Sequence, residues 1–172
     1  MADAVRLIGV DPGLRRTGWG VIEIDGSSMR HIAHGVVVPD ADLEMAQRLM
    51  ALHTGLSQVA LAHGAVESAV EETFINTNAK ASLKLGQARG AILVALAGAG
   101  LTVAEYSPNR IKKSVVGSGH AQKQQIRAMI EILLAKPQVT SEDAADALAV
   151  AITHAHFRRA SNHPATATRI AS

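Results

Sequence analysis

Residues 5–20 read VRLIGVDPGLRRTGWG, and the architecture of the chain can be worked out from this stretch. The β-branched, apolar run Val5–Val10 predicts a strand, and Asp11-Pro12-Gly13 directly after it is a strong turn signal. A second apolar run, Gly18–Ile24, follows and leads into a tight turn at Asp25-Gly26. The chain therefore opens with an antiparallel meander, and its first strand ends at an aspartate.

The remainder of the chain alternates helical and extended patterns. The predicted elements are a third strand over 29–38, a long helix from about 42 to 63, a strand over 65–71, a helix capped by Asn76 or Asn78, a strand over 101–106, a short helix from Ser107-Pro108 to Gly117, a helix over 121–134, and a last helix from Thr140 or Ser141. Three strands followed by alternating β and α units predict an α/β fold, with a mixed sheet flanked by helices.

The length and composition favour one domain. A chain of 172 residues, 48% of them hydrophobic, is long and apolar enough to bury a sizeable core. We expect this domain to cover 1–157 and to be followed by a disordered tail over 158–172, because RRASNHPATATRIAS is polar and rich in small residues. The longest uncharged stretch, 90–104, is shorter than the roughly 20 residues of a membrane span.

Charge and rare residues limit the possible functions only modestly. The 17 Lys and Arg residues against 15 Asp and Glu give a formal charge of +2, which predicts no partner by itself. The chain has no cysteine, so it forms no disulfides or thiolate metal sites, and a reducing cytoplasm is the expected location. Aromatic residues make up 2% of the chain, which argues against a broad platform for stacking single-stranded bases.

Four acidic residues lie at the ends of predicted elements that this order would bring together. Asp11 ends the first strand, Glu71 ends the fourth, and Asp143 and Asp146 open the last helix, three residues apart on one face. Carboxylates held close together repel one another unless a cation is present, and oxygen ligands suit Mg²⁺ or Mn²⁺. Two such ions, about 3.5–4 Å apart, would support hydrolysis of a phosphodiester by water.

Each acid also has a plainer interpretation when taken alone. Asp11 before Pro-Gly is a good turn residue, and aspartates in the first turn of a helix complement the helix dipole. Glu72 competes with Glu71, because successive strand residues point to opposite faces. Glu142 likewise competes with Asp143 at the start of the last helix.

Taken together, the motifs resemble the RuvC family of Holliday-junction resolvases, which have a ribonuclease-H-like fold. The resemblance extends to about His156 and is carried by GVDPG at 9–13 with Thr17-Gly18, AVE at 69–71, ASLKLGQARG at 81–90, VVG at 115–117 and DAADALA at 143–149. It implies a five-stranded sheet, three antiparallel strands and then two parallel ones. It also implies a Mg²⁺-dependent site at Asp11, Glu71, Asp143 and Asp146, and so selects Glu71 over Glu72.

The resemblance further implies a homodimer that nicks two strands of a four-way DNA junction symmetrically during recombination and repair. The products would carry 5′-phosphate and 3′-hydroxyl ends, and branch-migration proteins of the RuvA and RuvB type become expected partners. A C2 dimer suits a junction with approximate two-fold symmetry. The helix through Leu83, Leu85 and Ala88 is the candidate interface, although such apolar residues are more often core.

Basic residues near the acids are candidates for contacts with DNA phosphates. Lys112 and Lys123 match basic positions of the family, and solvated surface lysines are the alternative for each. The other candidates are Arg15, Arg110 and Lys113, together with Phe74 as a wedge beside an unstacked base or, alternatively, a helix-entry staple. His154 and His156 are interpreted as structural or surface residues.

Three other functions compete with junction resolution. A ribonuclease-H-like enzyme acting on RNA–DNA hybrids or flaps would use the same acids. An actin-like ATPase shares the opening Asp-x-Gly pattern, but it needs two lobes and far more residues than 172. A catalytically idle junction-binding module would not need all four acids.

Overall fold

The first three strands form the predicted meander and are followed by alternating helices and strands. The structure, a computed structural model, describes residues 4–73 and 77–162. Its elements are β1 (Val5–Asp11), β2 (Thr17–Asp25), β3 (Ser28–Val37), α1 (Met45–Ala62), β4 (Glu67–Glu71), α2 (Ala79–Gly98), β5 (Thr102–Tyr106), α3 (Pro108–Val116), α4 (Lys123–Leu133) and α5 (Glu142–Asn162).

The five strands form one mixed sheet in the order β3-β2-β1-β4-β5. β1 pairs antiparallel with β2, and β2 pairs antiparallel with β3. β4 runs parallel to both of its neighbours, β1 and β5. The expected arrangement of three antiparallel strands followed by two parallel ones is therefore confirmed.

Helices cover both faces of the sheet and divide the core in two. Strand alternation in β1 sends Leu7 to one face and Ile8 and Val10 to the other, and all three are fully buried. The first face packs against α3, α4 and α5, and the second packs against α1 and α2. β1 is thus buried on both sides, which explains its uninterrupted apolar sequence.

Helix α5 lies unusually close to the sheet. A Cβ atom at Gly9 of β1 would overlap the backbone of Ala147 and Ala151 on α5, and one at Gly20 of β2 would overlap Leu148. The strand glycines and helix alanines let the backbone of α5 rest on the sheet. This contact fixes the position of the helix that carries two of the candidate acids.

The ends of the helices follow the sequence signals, with one difference. The side chain of Asn78 caps α2 by accepting a hydrogen bond from Ala81 N–H, and the Ser107 hydroxyl caps α3. The other predicted cap of α2, Asn76, lies outside the described residues. α1 begins at Met45, later than the predicted 42, because the carboxylate of Asp40 accepts a hydrogen bond from Asp42 N–H and holds a turn there.

The last helix continues past the predicted end of the domain at 157. α5 extends to Asn162, and the guanidinium of Arg158 donates to Glu67 on β4 at 2.7 Å. The rest of the predicted tail, 163–172, lies outside the described residues. Within the part of the chain that the structure describes, no helix is long and apolar enough to cross a membrane.

Candidate active site

Asp11 and Glu71 lie at the ends of β1 and β4, at the same edge of the sheet. The parallel register of β1 and β4 pairs Val10 with Val70, and both valines face the α1–α2 core. The next residues, Asp11 and Glu71, therefore point to the α5 side of the sheet. Their carboxyl groups are hydrogen-bonded to each other. Alternation turns Glu72 away from this side, so the structure places Glu71 beside Asp11.

Helix α5 brings the other two acids to this edge. Asp11 pairs across the sheet with Gly18, and a Cβ atom at Gly18 would overlap the carbonyl group of Asp143. The first turn of α5 therefore packs directly against the strand next to Asp11. The charges of Asp143 and Asp146 both raise the pKa of Asp11, so the four predicted acids lie near enough to one another to interact electrostatically.

Burial and mutual repulsion give the acids unusual proton affinities. Burial is the main cause that raises the pKa of Asp11 to about 8, and the charges of Glu71, Asp146 and Asp143 add to it. Burial also raises the pKa values of Glu71 and Asp146. Because removing a proton here leaves buried, unbalanced negative charge, the cluster favours the binding of positive charge.

Two lysines from α3 and α4 line the open side of this acid cluster. Lys123 Nζ lies 3.3 Å from Glu142 Oε2 and 3.9 Å from Asp146 Oδ2, and the charge of Asp146 raises the pKa of Lys123. The charge of Lys112 lowers the pKa of Glu71. Acids and lysines share a cleft of about 500 Å³ lined by Glu71, Pro108, Ile111, Lys112, Ala121, Gln122, Lys123, Ile126, Asp146 and Ala149.

An arginine whose partner the sequence does not indicate contacts Asp143, one of the four acids. The Nε atom of Arg16 lies 2.7 Å from Oδ2 of Asp143, although the two residues are 127 positions apart. The sequence indicates Arg15 and Arg16 together as basic residues close to Asp11, with Arg15 as the candidate DNA contact, and Arg15 is exposed. The available signal was the position of Arg16 in the turn after Asp11, but only the packing of that turn on α5 identifies its partner.

The four acids are already paired with other groups in this structure. Asp143 is bonded to Arg16, Asp146 faces Lys123, and Asp11 shares a hydrogen bond with Glu71. Among residues 4–73 and 77–162, no group of three or more His, Asp or Glu side chains is arranged to hold a metal ion. The donors themselves are hard carboxylate oxygens, the chemistry that Mg²⁺ and Mn²⁺ prefer, so the residue types fit such an ion.

The remaining predicted DNA contacts lie in different places. Arg110 and Lys113 are on another face of α3 from Lys112, and they line a separate cavity of about 530 Å³ with Ser114, His156 and Phe157. The guanidinium carbon of Arg110 lies 4.0 Å from the ring centroid of Phe157. These two cations are therefore not part of the acid-lined cleft, and Phe74 lies outside the described residues.

The two histidines near the end of α5 make structural contacts. His154 bonds through Nδ1 to the hydroxyl of Tyr106 and through Nε2 to the carboxylate of Glu67, at 2.9 and 3.1 Å. His156 Nδ1 lies 3.1 Å from the Ser114 hydroxyl. Both engage partners outside the acid cluster, which agrees with their interpretation as structural or surface residues.

The strand order and the site together define the class of protein. A mixed five-stranded sheet of order β3-β2-β1-β4-β5, with acids at the ends of two central strands and on a packed helix, is a ribonuclease-H-like fold. The family model described as "Crossover junction endodeoxyribonuclease RuvC" matches residues 7–154. The chain belongs to the RuvC family of endodeoxyribonucleases.

Individual relatives support this membership over nearly the whole chain. The crossover junction endodeoxyribonuclease RuvC of Allorhizobium ampelinum is 58% identical, covering 92% of this chain and 94% of the relative. That of Bradyrhizobium diazoefficiens is 57% identical, covering 90% and 89%. The solved structure of Thermus thermophilus RuvC in complex with Holliday junction substrate has a TM-score of 0.85 at 32% identity, covering 91% of this chain and 96% of that one.

Proposed function

We propose that the protein is a metal-dependent endonuclease that resolves four-way DNA junctions by paired, symmetric nicks in recombination and repair. The observation that carries the proposal is the cluster of Asp11, Glu71, Asp143 and Asp146, two of which, Glu71 and Asp146, line a cleft together with Lys112 and Lys123. Similarity to a RuvC structure solved with a Holliday junction supports the substrate. The proposed location is the cytoplasm, with association to the nucleoid when DNA is bound.

The four carboxylates would hold Mg²⁺, with Mn²⁺ as a substitute and two ions per site. When bound, the ions would supply an activated water and stabilise the attacking and leaving oxygens of the phosphodiester. The raised pKa of Asp11 supports this assignment, since burial and neighbouring acids give the side chain a strong need for a positive partner. Hydrolysis would leave 5′-phosphate and 3′-hydroxyl ends.

The two lysines in the cleft would bind the substrate strand. Without them, the phosphates and the acid cluster would repel each other. Lys123 is largely exposed and makes only long contacts with Glu142 and Asp146, so its ammonium group can move to a phosphate at little cost. Lys112 lies on the other side of the cleft, close enough for its charge to act on Glu71.

Symmetric cleavage would require two copies of the chain. The exposed side of α2 is the proposed dimer surface: Leu83 retains 65% of its accessible area, and a cavity of about 590 Å³ runs along Thr73, Ala79, Ser82, Leu83, Leu85, Gly86 and Gln87. An apolar side chain exposed to that extent on a helix supports an interface. Ala88, in contrast, is fully buried and belongs to the core. RuvA-type and RuvB-type branch-migration proteins are the proposed further partners.

The substrate assignment is tested by direct comparison of nucleic acids. The purified protein is incubated with Mg²⁺ and either a synthetic four-way junction, a linear duplex of the same sequence, or an RNA–DNA hybrid. We expect paired nicks in the junction, little cleavage of the duplex and none of the hybrid, and no cleavage of any substrate in EDTA. Preferential cleavage of the hybrid would instead favour a ribonuclease-H-like activity, and junction binding without cleavage would favour a binding module.

A further inference from the structure

The turn between β1 and β2 is held rigidly by contacts on both of its sides. The hydroxyl of Thr17, which is fully buried, donates to the Gly13 carbonyl at 2.6 Å and accepts from Gly13 N–H at 3.2 Å. From α1, the guanidinium of Arg48 donates to the carbonyl of Leu14 at 3.3 Å. The backbone between positions 13 and 17 is therefore well defined, and with it the point from which Arg16 extends.

The same turn is packed against the start of α5. Gly18, directly after the turn, lies so close to Asp143 that any side chain there would overlap the Asp143 carbonyl group. Backbone and side-chain contacts thus act at the same residue: Gly18 contacts the main chain of Asp143, and Arg16 binds its carboxylate at 2.7 Å. The β1–β2 turn and the first helical turn of α5 are therefore held in contact with each other.

A carboxylate has two oxygens, so a partner on one of them restricts the direction of the other. Charge-assisted bonds of about 2.7–2.9 Å between guanidinium and carboxylate are among the stronger hydrogen bonds in proteins. Carboxylates that bind metals are commonly oriented by such outer partners, and loss of the partner costs about 10–100-fold in metal affinity.

We propose that Arg16 is a positioning residue for Asp143, holding one carboxylate oxygen so that the other is directed to the cation in the cleft. This inference rests on the proposed four-carboxylate metal site. Arg16 would act through Asp143 and would not touch the reacting atoms.

Charge alone predicts the opposite effect on cation binding. Removing a positive group near the acid cluster weakens the repulsion of an incoming cation, so an Arg16 that only competed with the metal would give tighter binding when removed. Arg16 and Asp143 keep 52% and 31% of their side-chain area exposed, so solvent screens this repulsion. Arg15 is the matched control, since it carries the same charge one position earlier and is exposed.

The test measures Mn²⁺ binding without DNA, from the electron paramagnetic resonance signal of the free ion. We expect Arg16→Gln to weaken Mn²⁺ binding about tenfold, while Arg15→Gln stays within about twofold of the parent protein. Unchanged or tighter binding in Arg16→Gln would overturn the proposal. Equal weakening in both variants would do so too, because it would show a general effect of charge.

A double-mutant cycle with Asp143→Asn shows whether Arg16 acts through Asp143. We expect Arg16→Gln to cause no further loss of Mn²⁺ affinity in an Asp143→Asn background, whereas an additive loss overturns the positioning role. If Asp143→Asn weakens binding and Arg16→Gln does not, only the role of Arg16 is wrong. If Asp143→Asn binds Mn²⁺ normally, the four-carboxylate site itself is wrong. Thermal unfolding of each variant checks that the fold is kept.

Discussion

The carboxyl groups of Asp11 and Glu71 are hydrogen-bonded to each other across two neighbouring parallel strands, although the two residues are 60 positions apart in the sequence. Two partly buried acids that share a proton in this way are held together by that proton. When it leaves, a cation must take its place or the two carboxylates repel each other.

Loss of this proton should weaken the metal-free fold as the pH rises. Because the pKa of Asp11 is about 8 in the folded chain and 3.8 as its ordinary value, the folded state binds the proton more tightly. The associated stability is present at low pH and is lost as the pH rises toward about 8. Thermal unfolding in EDTA should therefore show Asp11→Asn gaining stability relative to the parent protein between about pH 5 and pH 8. A constant difference would contradict the shared proton.

Replacing one acid with its amide should separate cleavage from binding. Asp11→Asn and Asp146→Asn keep the shape of the side chain and remove the charge needed for a metal ligand, so we expect junction cleavage to fall by about 100-fold or more. Junction affinity and dimerisation should persist in gel-shift and ultracentrifugation measurements. Glu142→Gln is the control from the same helix, since Glu142 is exposed and bonds only to Lys123 among its described contacts. Full activity in both aspartate variants would remove them from the site.

Substitutions of the adjacent residues Lys112 and Lys113 on α3 should differ in their effects on junction cleavage. Lys112 lines the cleft with Glu71 and Asp146, whereas Lys113 lies on another face of the helix. Each substitution to glutamine removes one cation, so both variants should lose a similar, salt-dependent part of their junction affinity. At saturating DNA only Lys112→Gln should cleave more slowly, by about 100-fold. Equal rates in the two variants would show that Lys112 does not act at the reacting phosphate.

The proposed dimer surface can be tested with one charged residue. Leu83→Glu places a carboxylate on the exposed side of α2, and burying that charge in an interface would be costly. We expect this variant to sediment as a monomer that nicks junctions without paired cleavage. Ile132→Glu on α4, where the isoleucine is 72% exposed, is the matched control and should remain dimeric. A dimeric Leu83→Glu protein would exclude this side of α2.

Because α5 packs closely on β1, adding a single methyl group at Gly9 should destabilise the fold. Gly9→Ala would overlap the backbone of Ala147 and Ala151, which cannot move away as a flexible side chain could. We expect a loss of about 3 kcal/mol in the free energy of unfolding, measured by urea denaturation. Gly90→Ala on α2 meets no atom within 4 Å and should instead gain about 0.5–1 kcal/mol. A neutral Gly9→Ala would show that the helix can shift.

The order of the elements could be predicted because local chemistry determines it. The apolar run of β1, the Ser107-Pro108 helix start and Gly117 after α3 each have one favoured structure, and the strand order then follows from short connections. The start of α1 was predicted too early, since the periodicity does not show that Asp40 bonds to Asp42 N–H. The tail was predicted to begin at 158, but Arg158 forms an ion pair with Glu67. The two residues are 91 positions apart, so local sequence does not reveal this contact.

Predicting the site was easier for the acids than for the cations. Asp11 and Glu71 end parallel strands, so their meeting follows from topology, and spacing alone puts Asp143 and Asp146 on one face of α5. The direction of a long basic side chain depends on packing that sequence does not encode locally. The ion pair of Arg16 with Asp143 and the stacking of the Arg110 guanidinium on Phe157 were therefore not predicted.

The close contact of α5 with the strand glycines restricts which side of the cleft can move. On the side of the cleft that carries the acids, the backbone of α5 contacts the strand backbone directly at Gly9 and Gly18. This contact leaves no space for α5 to move closer to the sheet. The opposite wall carries Lys112 and Lys123 on two short helices, with an open cleft on one side of α4 and a cavity of about 250 Å³ on the other. If the cleft binds DNA as proposed, we expect any adjustment to the bound strand to come from the lysine-bearing helices α3 and α4, and not from α5.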